Sequence, residues 1–142
     1  TKITYNGHEF VLTNDYWVTK IGDYQFAFRT SPKEIEKIMN NLNSLNSYKD
    51  KPLYIYSENT ESTYEFYTNL NQIAKRIQTA CPEGEICKDN SPVKNCTDNF
   101  VIIKENPEKI IQQEENCIYI EGKSEELVKI SDNVLFKITG IN

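Results

Sequence analysis

Any chemistry in this chain falls to few residues: four cysteines (Cys81, Cys87, Cys96, Cys117), one histidine (His8), and three glutamates that each follow an apolar, strand-like run. The runs are Leu53 to Ser57 before Glu58, Phe100 to Lys104 before Glu105, and Cys117 to Ile120 before Glu121. In a parallel sheet these ends share one edge, the edge at which open α/β folds bind ligands. Three carboxylates converging there would suit Mg²⁺ or Ca²⁺, hard cations held by oxygen. Glutamate is also abundant here and is favoured near helix starts by the macrodipole, so the same residues have a purely structural reading.

The cysteines all lie in the second half of the chain, spaced C-x5-C, C-x8-C and C-x20-C. A structural zinc site would show at least one close knuckle, which is missing, so disulfides are favoured over zinc and over free buried thiols. The expected pairs are Cys81 with Cys87 and Cys96 with Cys117. Disulfides imply an oxidising compartment, outside the cytoplasm or inside a hyperthermophile. A redox-active Cys81–Cys87 pair is disfavoured, because Cys81 is predicted at a helix C-terminus, where the dipole raises a thiol pKa.

Other candidates are weaker. His8 follows a hairpin turn and reads as an exposed turn residue, since no nucleophile lies near it in sequence. Gly122-Lys123-Ser124 sits between a predicted strand and helix, yet the glycine a phosphate loop needs five positions earlier is Cys117. An ordinary helix cap at Ser124 is the expectation. Asn95-Cys96-Thr97 is a glycosylation sequon, a triplet that also arises by chance in an Asn-rich chain. Tyr54, Tyr56, Tyr64 and Tyr67 cluster around one strand-helix junction, as interface or as core rim.

These residues need elements to position them. The first thirty residues predict four short antiparallel strands turned at Asn6-Gly7, Asn14-Asp15 and Gly22-Asp23. Tyr24, Phe26 and Phe28 alternate with polar or small residues, and Trp17 is expected on the same buried face. Ser31-Pro32-Lys33-Glu34 predicts a helix start, with Ile35, Ile38, Met39 and Leu42 as its stripe. Leu53 to Tyr56 reads as a strand covered on both faces. A capping box at Ser62-x-x-Glu65 then predicts a helix reaching Cys81, and Pro82 ends it. A strand over Phe100 to Ile103 follows. A short helix from Asn106-Pro107 to about Gln113 would return Cys117 to Ile120 parallel to it, with an irregular antiparallel return as the alternative. Ser124-Glu125-Glu126 opens the last helix, closed by Gly140.

The fold class is therefore α+β: an antiparallel meander plus helix over 1–50, then a three-stranded, mostly parallel β-α-β-α-β-α layer over 51–142, as one compact domain of 142 residues. The net charge of −5, with few arginines, disfavours nucleic acid. No apolar run is long enough to span a bilayer. Membrane association would then come only through an N-terminal anchor. The start at Thr1 fits removal of a signal or anchor and fits trimming equally.

Leu53 to Glu58, Asn99 to Glu105 and Asn116 to Lys123 together resemble small uncharacterised exported proteins of archaea with reduced genomes. The resemblance covers roughly the second half and implies a surface-exposed or membrane-tethered location. It carries over no functional residue. The leading expectation is an extracytoplasmic, non-enzymatic structural or protein-interaction module, such as a subunit of a cell-surface assembly, with a protein partner or self-assembly. The alternative is a divalent-metal-binding protein or metal-dependent hydrolase using Glu58, Glu105 and Glu121. A thiol-disulfide enzyme is the third.

Overall fold

The structure is a computed structural model that describes residues 1–142. Its N-terminal part is the expected meander: β1 (Lys2–Tyr5), β2 (His8–Thr13), β3 (Tyr16–Ile21) and β4 (Tyr24–Phe28) form an antiparallel sheet in chain order. Turn chemistry sets this register. Asn6 and Gly7 (φ +47° and +80°) and Asn14 and Asp15 (φ +51° and +67°) take the left-handed backbone that two-residue hairpins require. Phe10, Phe26 and Phe28 are buried on one face, where Trp17 also packs.

The second sheet has five strands in the order β10-β11-β9-β5-β6, where β5 is Pro52–Ser57, β6 Arg76–Thr79, β9 Asn99–Glu105, β10 Ile110–Glu114 and β11 Cys117–Gly122. Strands β11, β9, β5 and β6 run parallel, and β10 is antiparallel at the edge. Alternate residues of its central strands serve two cores. Leu53, Ile55, Val101, Ile103, Ile118 and Ile120 face the main core. Tyr54, Phe100, Ile102 and Cys117 face a smaller one. That division is why the runs are continuously apolar: both faces are covered.

Two helices, α1 (Thr60–Leu70) and α2 (Leu127–Ile138), belong to the main core. α2 touches both sheets. Its Phe136 ring lies 4.6 Å from Phe28 and stacks on Phe10 at 5.6 Å, while Ile130 packs over Gly122 at the end of β11. Beyond the second sheet, residues 80–98 form a flap that includes β7 (Cys81–Pro82) paired with β8 (Val93–Lys94).

Four expectations are corrected. After Ser31 only a single 3-10 turn forms, Pro32–Glu34. The following chain is a strap whose polar groups are engaged elsewhere: Glu36 N–H donates to Asn133 Oδ1 at 3.0 Å, the Lys137 ammonium donates to the Ile38 carbonyl at 3.1 Å, and Asn43 N–H donates to Gln113 Oε1 at 3.0 Å. A helix of that length is marginal alone, and these tertiary bonds outcompete it.

The helix expected to reach Cys81 ends at Leu70, and Asn59 caps it by accepting the Ser62 N–H at 2.9 Å. The chain then re-enters the sheet as β6, beginning with Lys75 N–H donating to the Lys51 carbonyl at 2.9 Å. Cys81 accordingly lies in strand β7 rather than at a helix end.

Asn106-Pro107 opens a turn instead of a helix, with Asn106 Oδ1 accepting the Glu108 N–H at 3.0 Å. The return of β11 parallel to β9 is made by β10, so a strand replaces the predicted crossover helix. The layer consequently has five strands instead of three.

The sheet edges are handled unequally. Along β4, α1 and the turn that follows it present three polar side chains, Glu65 and Asn69 from the helix and Gln72 from the turn. Glu65 Oε1 accepts the Arg29 N–H at 3.0 Å, Asn69 exchanges two bonds with Ala27 at 2.9 Å each, and Gln72 Oε1 accepts the Gln25 N–H at 3.3 Å while its amide donates to the Gln25 carbonyl at 2.9 Å. From Glu65 to Asn69 four helical residues rise about 6 Å, close to the about 6.8 Å that two strand residues span from Arg29 to Ala27. Side chains here do the work of a fifth strand and cover the edge.

Candidate functional site

The parallel sheet brings the C-terminal ends of β5, β9 and β11 to one edge, as the three glutamates required. Two of them are occupied. Glu58 Oε1 accepts the Glu105 N–H at 2.8 Å, and its other oxygen accepts from the Tyr56 phenol at 3.4 Å. Glu121 Oε1 accepts from the Asn106 side-chain amide at 2.8 Å. Glu105 itself is exposed. No group of three or more His, Cys, Asp or Glu side chains is arranged to hold a metal. In this geometry Glu58 and Glu121 brace strand ends. Burial, then the negative charge of Glu58, pushes the Tyr56 phenol above its usual range, so it stays a neutral donor.

The neighbouring Lys104 pairs with Glu85 of the flap, and that hydrogen bond raises its pKa. The flap is tied down at several further points. Disulfides join Cys81 to Cys87 and Cys96 to Cys117, with Cα atoms 6.0 and 4.9 Å apart. No free cysteine remains. Cys81 N–H donates to Pro92 O at 2.8 Å, Glu83 N–H donates to Lys94 O at 2.9 Å, and the Lys94 ammonium sits 4.7 Å from the Tyr54 ring centroid. The inner side of the flap closes the smaller core over Tyr54, Phe100 and Ile102. Two apolar side chains of the flap reach water, Ile86, which is fully exposed, and Val93, 62 % exposed. Asn95 and Thr97 are exposed there too, the Thr97 hydroxyl donating to Asn95 Oδ1 at 2.7 Å.

The other candidates fall apart spatially. His8 pairs with Tyr5 in the N-terminal sheet, whereas every cysteine lies in the second sheet or the flap. Gly122 is a packing glycine: a Cβ there would stand 2.5 Å from Ile130 Cδ1. Lys123 and Ser124 lead into a 3-10 turn with no side-chain cap. Of the tyrosines, Tyr54 is buried and accepts from Arg76 at 3.3 Å, Tyr67 donates to the Ile77 carbonyl at 3.3 Å, and only Tyr64 is largely exposed.

One constellation was not anticipated from the sequence. Glu65 on α1 and Asp132 on α2 are both completely buried. Glu65 takes the Arg29 N–H and Asp132 Oδ2 takes the next amide, Thr30 N–H, each at 3.0 Å. Burial first, then the neighbouring Glu65, holds the Asp132 carboxyl well above the ordinary carboxylate range. The available signal was polar residues 65, 69 and 72 lying next to the apolar positions Phe66 and Leu70, where a helix turned wholly to water on its polar side would not put its core.

The chain is thus an α+β protein with an antiparallel four-stranded sheet, a mixed five-stranded sheet, two helices and a disulfide-braced flap. Compared with known proteins, it matches no family model, no curated protein and no solved structure.

Proposed function

We propose that the chain is an extracytoplasmic, non-enzymatic module that binds a protein partner or further copies of itself, as a subunit of a cell-surface assembly. The observation that carries this reading is the flap. Two disulfides and the Lys104–Glu85 pair fix its backbone, and two of its apolar side chains, Ile86 and Val93, reach water. A side chain of that size held out on a rigid loop is an anchor for a contact, because little conformational entropy remains to be lost when it is buried. Disulfides in a chain of this size favour an oxidising location. A glycan at Asn95 would fit the same location, since its side chain is exposed on the flap.

The test is native mass spectrometry of the protein isolated gently from its own cells. A species heavier than the single chain, lost on Ile86→Asp substitution, is the expected result. A monomer in every preparation contradicts the proposal. The second reading, Mg²⁺ or Ca²⁺ at Glu58, Glu105 and Glu121, draws on their shared edge. One oxygen of Glu58 is engaged by the Glu105 amide and one of Glu121 by Asn106, so a cation would be held through their other oxygens. Calorimetric titration with each ion decides it: saturable heat lost in Glu121→Gln supports a site, and heats of dilution alone exclude it.

A further inference from the structure

We infer that Glu65 and Asp132 share a single proton, and that this acid pair is a pH-sensitive joint locking α1, α2 and the end of β4 together. Each carboxyl uses one oxygen to accept a backbone amide, from Arg29 and Thr30 respectively. The remaining oxygens, Glu65 Oε2 and Asp132 Oδ1, have no donor and no solvent. The two carboxyls accept consecutive backbone amides from two helices that pack together, so they stand as neighbours in one buried place. Two ionised carboxylates so placed would repel in a dry environment, and two acceptors cannot satisfy one another. One proton between them resolves both problems. The pair then has one negative charge.

The charged groups on the surrounding elements fit that count. From the end of β4, Arg29 brings its Nε to 3.9 Å from Glu65 Oε2, and the same guanidinium reaches Glu61 on the exposed side of α1 at 2.8 Å. On β3 the Tyr16 hydroxyl lies 3.4 Å from Arg29 Nε. The flanking residues of α2, Ser131 and Asn133, are neutral. Arg29 is thus the cation nearest the joint, its charge shared with Glu61, and no second cation pairs with Glu65 or Asp132 to offset a fully ionised pair.

The sign of the pH effect follows. The Asp132 carboxyl keeps its proton in the folded state at pH values where the unfolded chain has lost it. Its contribution to stability is full below the ordinary carboxyl range, about pH 4, and is lost as pH rises toward the folded-state value. The joint is thus tightest below about pH 4 and loosens progressively as pH rises above it.

Asp132→Asn tests this, because asparagine keeps an oxygen for the Thr30 amide and provides Glu65 with a permanent donor. Thermal midpoints of wild type and Asp132→Asn are measured across pH in the intact disulfide-bonded chain. The wild type should fall with rising pH more steeply than the variant, so that the variant becomes the more stable of the two toward alkaline pH. Parallel profiles would overturn the inference. Infrared spectroscopy of the wild type alone guards against a variant that fails to fold. A protonated-carboxyl band persisting near neutral pH supports the shared proton, and its absence in folded protein refutes it.

Discussion

Asn69 of α1 pairs with Ala27 of β4 as another strand would, its Oδ1 accepting the Ala27 N–H and its Nδ2 donating to the Ala27 carbonyl, both at 2.9 Å. A third bond, from Nδ2 to the Glu65 carbonyl at 2.8 Å, uses the remaining amide proton. The fully buried side chain is satisfied at every donor and acceptor it uses. It also joins helix to sheet edge by a bond pair that no apolar residue can imitate.

Replacing Asn69 with leucine keeps the number of side-chain heavy atoms but leaves both Ala27 groups without partners beside a helix that blocks water. The expected loss is about 2–4 kcal/mol, several times that of an ordinary exposed substitution. Urea unfolding of Asn69→Leu against Gln72→Leu checks this, since Gln72 makes the corresponding pair with Gln25 in an exposed setting. Equal losses at the two sites would mean that burial adds nothing to the pairing.

The disulfides should contribute unequally. Cys96 and Cys117 are 21 residues apart and tie the flap to β11, whereas Cys81 and Cys87 are 6 apart within the flap. Loop-closure entropy gives roughly 3 kcal/mol for the longer loop and about 2 for the shorter. Double alanine variants of each pair, compared by denaturant midpoint, should show the Cys96–Cys117 variant as the less stable.

Gly122→Ala should destabilise by about 1–3 kcal/mol through overpacking, because its new methyl would meet Ile130 Cδ1 at 2.5 Å. That atom is the far end of a flexible side chain, so Ile130→Val should relieve part of the loss. A double-mutant cycle on thermal stability measures the coupling. Strict additivity would place the cost in the backbone instead.

How much of this was legible varied with the kind of signal. The meander was, because Asn6-Gly7 and Asn14-Asp15 name their own turn geometry. So was α2, whose apolar positions leave one periodic interpretation. Ile35, Ile38, Met39 and Leu42 fit a helical stripe equally well, yet Ile38 is buried and Met39 is 84 % exposed in an extended strap. Bonds to Asn133, Gln113 and Lys137, distant in sequence, decide that segment. Strands β6 and β10 were missed for a related reason: each is an edge strand with mixed burial, so neither alternates cleanly. The candidate edge at Glu58, Glu105 and Glu121 followed from strand direction. Its occupation by Glu105 N–H and Asn106 did not, because backbone partners have no sequence signature. Glu65 and Asp132 look like surface residues until both helices are placed.

The central claim, an interaction module built for an oxidising location, rests on the state of its four cysteines in its own cells. Alkylating those cells before lysis and then weighing the unreduced protein reads that state directly. The account predicts a chain with no alkylated cysteine and peptides linked Cys81 to Cys87 and Cys96 to Cys117. A chain alkylated at all four cysteines would contradict it.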